Sequence, residues 1–181
     1  MKLFKYVFGS VASLILLFLL VSFLLPSRFR IERSITINQP VDSVYKQVID
    51  LRKWQQWSPW SFEDTESVNS YAGLFGTPGS RWIWNGKKSG YGQLEITNVV
   101  AGNKIITDMK IFEPESLSLS GSWHFEEKNS HSTQVTWVNQ GKLGYPFDRW
   151  AGLFMERKLG GDYERGLSNL KSVCERRTAV Y

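Results

Sequence analysis

The sequence predicts an α+β protein in which a curved antiparallel sheet of about seven strands wraps a long C-terminal helix, preceded by one transmembrane helix. Three observations predict it. Between Phe147 and Glu175, Met155, Leu159, Tyr163, Leu167, Leu170 and Cys174 recur at steps of three and four, with Arg157, Glu164, Arg165, Ser168, Lys171 and Glu175 between them. Ahead of that helix, roughly a hundred residues read as short alternating runs separated by turn signals. At the other terminus, Val7 to Leu25 is an unbroken apolar and small-residue run. One apolar stripe on a long helix has to be buried, and a sheet offers the face for it.

The N-terminal run holds about nineteen residues and, as a helix, reaches roughly 28 Å, close to the hydrocarbon thickness of a bilayer. Lys2 and Lys5 also suit the start of a signal peptide, but Phe23-Leu24-Leu25-Pro26-Ser27-Arg28 contains no small-residue cleavage site. The expectation is an uncleaved single-pass anchor through residues 7–25, with cleavage as the alternative. Arg28, Arg30 and Arg33 nearly balance the two lysines, so the charge rule gives little direction. The short basic tail resembles a signal anchor and leans towards an extracytoplasmic domain. This divides the chain into 1–28, anchor and juxtamembrane segment, and 29–181, one domain large enough for a real core.

Along that domain, Arg30–Ile37 alternates as a strand, and Pro40 opens a helix carrying Val41, Val44, Tyr45 and Val48. A tryptophan-rich turn follows, Trp54, Trp57, Ser58, Pro59, Trp60. Strands are expected near 68–72, 81–85, 92–100, 104–112, 117–127 and 133–143, with turns that include Gly76–Gly79, Asn85–Gly90 and Glu113–Glu115. Short connections make an antiparallel meander, whose alternation assigns faces. Trp82, Trp84, Leu94, Ile96, Ile105, Met109, Ile111, Leu119, Trp123, Phe125, Val135 and Trp137 share the face under the helix. Arg81, Glu95, Asp108, Lys110, Ser120, His124 and Glu126 share the other. Only uncharged polar groups, Asn98, Thr107, Thr133 and Asn139, join the covered face, and the helix offers Tyr163. Gly160, Gly161 and Gly166 each cost the helix about 1 kcal/mol relative to alanine, which close packing, a bend, or a space for a ligand would explain.

Composition excludes several classes. Net charge is +5 with the basic residues scattered, so no nucleic-acid footprint appears. A single cysteine allows no intrachain disulfide, and Cys174 lies on the apolar stripe as a packing residue. His124 and His131 are not part of any metal-ligand spacing. Phosphate loops, nucleophile elbows and dinucleotide fingerprints are missing from the sequence, so neither cofactor nor catalytic set is predicted. Glu95, Asp108 and Glu126 fall on the watery face, which argues against a carboxylate pair for acid and base work.

Several stretches carry a family resemblance: Val44 with Trp57-Ser58-Pro59-Trp60; Gly79 with Trp84-Asn85-Gly86, Gly90 and Gly92; Thr133, Val135 and Trp137 before Gly141; and Gly166-Leu167 with Asn169-Leu170-Lys171. Taken with the element order, the chain after the anchor resembles the helix-grip fold of the SRPBCC superfamily, which includes START lipid-transfer domains and polyketide cyclase/dehydrase-like proteins. The resemblance implies a deep apolar cavity between sheet and helix. Its lining would draw on Trp82, Trp84, Met109, Ile111, Trp123, Phe125, Trp137, Leu159, Tyr163 and Leu167, with Trp54, Trp57 and Trp60 closing the mouth, resting on the bilayer or packing the turn. The function implied is binding of a hydrophobic or amphipathic small molecule, a lipid among the candidates. The alternatives are a cyclase, dehydratase or hydrolase in the same cavity, or a protein-interaction module with a filled core. No catalytic residues carry over position by position, and oligomeric state is not legible.

Overall fold

The computed structural model describes residues 2–114 and 116–176. Glu115 of the expected turn and positions 177–181 of the expected domain lie outside the described residues. The chain runs α1 (Lys2–Leu24), β1 (Arg28–Ile37), α2 (Val41–Val48), a 3-10 helix (Leu51–Gln56), α3 (Pro59–Glu63), β2 (Val68–Ala72), β3 (Arg81–Gly86), β4 (Gly90–Val100), β5 (Lys104–Glu113), β6 (Leu117–Asn129), β7 (Ser132–Lys142) and α4 (Phe147–Arg176). Local chemistry accounts for the starts. Pro40 precedes α2 with extended ψ, Asp50 accepts the Arg52 N–H at the head of the 3-10 helix, and Pro59 occupies the first turn of α3. Helix α1 from Phe4 to Leu24 is long and apolar enough to cross a membrane.

All neighbouring strands are antiparallel, in the order β1-β7-β6-β5-β4-β3-β2. The meander therefore runs from β2 to β7, and β1, first in sequence, closes beside the last strand. Helix α4 crosses the covered face and is tied to β1 by polar contacts at its margin. Arg33 Nε donates to Glu164 Oε1 at 2.7 Å, Lys171 Nζ donates to the Thr36 carbonyl at 2.8 Å, and Glu175 accepts the Asn38 N–H at 2.9 Å.

Alternation holds along most of the meander, so the side chains of the covered face are buried, with Met109 and Ile111 half-buried. It fails at Asn98. A bulge shifts the β4–β5 register between Ile96 and Asn98, so Asn98 pairs with Ile106 and is exposed rather than inward. The tryptophan-rich turn is resolved in favour of packing for two of its indoles. Trp54 and Trp57 are 1% and 0% exposed and lie neither at a mouth nor on a bilayer. They form one aromatic block with Trp123 and Trp137, and that pair is stacked at 4.3 Å between centroids. The Trp54 indole donates to the Val48 carbonyl at 2.8 Å, which ties the turn to the end of α2.

Of Gly160, Gly161 and Gly166, two serve close packing. A Cβ on Gly166 would sit 3.1 Å from the Trp137 ring and 3.2 Å from Pro59 Cδ, and one on Gly160 would collide with the Arg33 guanidinium. Nothing in the structure explains Gly161. Because the Trp137 ring touches Trp54, Trp57, Trp60, Trp123 and Tyr163, it joins sheet, turn and helix. We expect Trp137→Ala to destabilise the domain by about 3–5 kcal/mol, the usual range for truncating a buried large aromatic. Denaturant unfolding followed by tryptophan fluorescence, in detergent, measures this.

Candidate functional site

Beside the aromatic block the covered face is not filled. A cavity of about 170 Å³ lies between α4, α3 and strands β3, β5 and β6. Its apolar wall comes from Trp82, Trp84, Met109, Ile111, Leu117, Leu119 and Leu159, while Trp60 and Tyr163 border it towards the aromatic block. Period-two alternation puts the strand residues there, and the helical step of four puts Leu159 and Tyr163 on one face of α4.

The opposite wall is polar and, apart from Ser61, largely hydrogen-bonded. It holds Gln55, Ser61, Asp64, Ser67, Asn69 and Ser89. Asp64, nearly buried at 7% exposed, accepts three bonds on one oxygen: from the Lys88 N–H at 2.9 Å, the Ser89 N–H at 2.8 Å and the Ser89 hydroxyl at 2.8 Å. Bonds from the Ser89 backbone and hydroxyl, in that order, hold its carboxyl below the usual carboxylate range. Asn69 Oδ1 accepts from the Trp82 indole at 2.7 Å and from Gln55 at 3.3 Å. The Ser61 hydroxyl is buried and has no partner among the described residues.

Six of the residues expected on the wall are there: Trp82, Trp84, Met109, Ile111, Leu159 and Tyr163. The other four are not. Trp123, Phe125, Trp137 and Leu167 sit in the filled half of the interior, at 0%, 3%, 1% and 1% exposure; Trp54 and Trp57 fold inward against Trp123 and Trp137, and Tyr45 packs on Phe125. The deep cavity implied by the resemblance is thereby reduced to a smaller one. Sequence reasoning missed the polar wall, whose members come from the 3-10 helix, α3, the loop after it, the edge strand β2 and the β3–β4 turn. Asp64 and Ser89 are 25 positions apart, and no local motif marks the pair.

A second polar group lies under α4. Thr107, Gly121 and Asn139 are register neighbours across β5, β6 and β7, and all three are buried. A Cβ on Gly121 would stand 2.5 Å from Thr107 Oγ1 and 2.7 Å from Asn139 Oδ1, so glycine is what leaves room for these polar atoms. Tyr163 reaches the group from the helix. Burial pushes its hydroxyl pKa well up, partly opposed by a hydrogen bond with Asn139. Elsewhere, burial first and Lys104 second pull the His124 pKa down on the outer face. Among the described residues no group of three or more His, Cys, Asp or Glu side chains could hold a metal ion.

A seven-stranded antiparallel sheet gripping a C-terminal helix over a two-walled cavity defines the helix-grip class. The chain belongs to the family described as polyketide cyclase / dehydrase and lipid transport, whose model matches residues 28–175. No curated protein matches. Solved structures with the same fold include a protein from Thermobifida fusca, at 14% identity and a TM-score of 0.61, covering 81% of this chain and 93% of that one. The di-domain ARO/CYC StfQ of the steffimycin biosynthetic pathway is 15% identical with a TM-score of 0.65, covering 84% of this chain and 52% of that one. The Zhui aromatase/cyclase of a Streptomyces species is 14% identical with a TM-score of 0.60, covering 83% and 96%.

Two outcomes follow from this geometry. Gly121→Ala forces Thr107 or Asn139 away and should cost about 1–3 kcal/mol, as overpacking in a filled interior does; chemical denaturation reads it. For Asp64 the sign is set by a pKa lowered in the folded state: its contribution is present above the unfolded value near pH 4 and is lost as pH falls through the folded value. Asp64→Asn should therefore melt below the parent protein at pH 7, and the gap should close below about pH 4 in thermal melts across pH.

Proposed function

We propose that this is a membrane-tethered domain that binds an amphipathic, lipid-like small molecule in the cavity between the sheet and α4. The observation that carries the reading is the pairing of walls in one space: Met109, Ile111, Leu117 and Leu159 for an apolar segment, and Asp64, Ser61, Asn69 and Gln55 for a polar one. A pocket with an apolar body and a few convergent polar groups is the usual form of a small-molecule site. Helix α1, with residues 7–25 in the bilayer, serves as the tether, and residues 28 onward form the binding domain, on the extracytoplasmic side by the signal-anchor pattern. Ordinary ligand pockets start at roughly 300 Å³, so a space of about 170 Å³ takes a short apolar segment while the rest of the ligand stays outside.

That small volume also favours a second reading, an interaction module whose interior is largely filled. The family description and the aromatase/cyclase neighbours raise a cyclase reading, and Asp64 with Tyr163 are the titratable groups on the cavity wall. Their pKa values are displaced away from neutrality in opposite directions, down for Asp64 and up for Tyr163, so neither is poised to exchange a proton at pH 7.

Native mass spectrometry of the full chain in nanodiscs, after incubation with a lipid extract, tests the binding reading. The expected result is a retained small amphiphile that Met109→Trp, which fills the cavity, reduces at least tenfold. A parent protein that retains nothing, or a variant that retains as much, would overturn it in favour of the filled module.

A further inference from the structure

The start of α4 has an outward face unlike the rest of the helix. Phe147, Leu153 and Phe154 are 72%, 50% and 63% exposed, and Tyr145 just before them is 50% exposed. From Arg157 onward the outward positions turn polar, with Glu164, Arg165 and Ser168. Leu153 and Phe154 keep half or more of their surface open, while Tyr145 and Phe147 also touch α1.

The same segment is fastened to the end of α1. Trp150 stacks on Phe18 at 5.5 Å with planes 8° apart, and Phe147 meets the same ring at 5.6 Å. The Tyr145 hydroxyl donates to the Leu19 carbonyl at 3.0 Å, and the Trp150 indole donates to the Ser22 hydroxyl at 2.6 Å. Arg149 Nη1 donates to the carbonyls of Ser22 at 3.1 Å and Phe23 at 3.0 Å, which the end of α1 leaves without intrahelical partners. A guanidinium there also suits the negative end of the helix dipole.

These contacts set a depth. Phe18 lies six residues before the end of α1 at Leu24, or roughly 9 Å along the axis at about 1.5 Å per residue. If α1 spans the bilayer, as the proposed tether requires, whatever packs against Phe18 is drawn below the headgroups with it. Around this end stand exposed Arg28 and Lys142, which pair in the sheet register, and Arg30, which is bridged to Glu32. Basic side chains beside aromatic ones suit an anionic headgroup layer.

We propose that residues 145–154 are a bilayer-seated segment: the first turns of α4 lie in the interfacial layer beside α1, with Phe147, Leu153 and Phe154 among the acyl chains. Leu159, a little over one turn further along α4, lines the cavity with Ile111 and Leu117 from the β5–β6 hairpin. The open side of the cavity then meets the headgroup region, and a lipid-like guest enters without crossing water. The inference rests on the tether reading, and its test separates the two.

Single cysteines at Leu16, Phe147, Phe154 and Asn129 of the full chain, with Cys174 replaced by Ala, carry nitroxide labels in phosphatidylcholine/phosphatidylglycerol vesicles. The label sites are all exposed side chains, so folding is preserved, and near-ultraviolet circular dichroism checks it. Labels at 16, 147 and 154 should collide with oxygen several-fold more than with a water-soluble nickel chelate, and the label at 129 should do the reverse. Labels at 147 and 154 that read as aqueous while 16 reads as lipid would overturn the seated segment and leave the tether standing. A label at 16 that reads as aqueous would overturn both.

Discussion

The structure depends on a group of indoles packed under one helix. Trp123 and Trp137, facing one another across β6 and β7, are capped by Trp54 and Trp57 from the turn and by Tyr163 from α4. Aromatic side chains of this size bury about 150–250 Å² each, and their edge-to-face and offset contacts add further attraction. Gly166 is the condition for that packing on the helix side, since it lets the backbone of α4 settle against Trp137 and Pro59. The aromatic block is also costly in one respect. The indole N–H groups of Trp57 and Trp123 are buried and have no hydrogen-bond partner among the described residues, a penalty of about 1–3 kcal/mol each that the packing has to exceed.

By filling one half of the interior, this block defines the other half as the site. The cavity is what remains between the indoles and the far strands, and its two walls have different origins. Strand alternation supplies the apolar wall, while the loop after α3 and the β3–β4 turn supply the polar one through Asp64 and Ser89. Asp64 has a structural duty as well, since it holds the backbone of the β3–β4 turn, and that duty keeps a negative charge fixed on the cavity wall. An amphiphile with a hydroxyl-rich or amine-bearing polar part would be matched to such a wall.

What the sequence made legible was whatever a period reports. Strand alternation assigned Trp82, Trp84, Leu94 and Trp123 to the covered face, and the helical step of Leu159, Tyr163, Leu167 and Leu170 located α4. Asn98 escaped because a bulge adds one residue to β4 and reverses the alternation beyond it. Trp54 and Trp57 stayed open between lid, bilayer contact and packing because an indole in a loop reads equally well as a lid or as core until its neighbours are known. Cavity volume was illegible for the same reason, and the polar wall because its hydrogen bonds join loops far apart in sequence.

The central claim is that the space beside the indoles accepts the apolar part of an amphiphile. Met109 is the reporter placed in that wall, and with three methionines in the chain its methyl signal can be assigned by substitution. A carbon-13 methionine-methyl spectrum of the full chain in nanodiscs, titrated with decylamine, tests the claim most directly. The account predicts a saturable shift of the Met109 methyl that is lost when the cavity is filled by Leu117→Trp. A Met109 signal that stays fixed at every concentration, or one that drifts without saturating in both proteins, would contradict it.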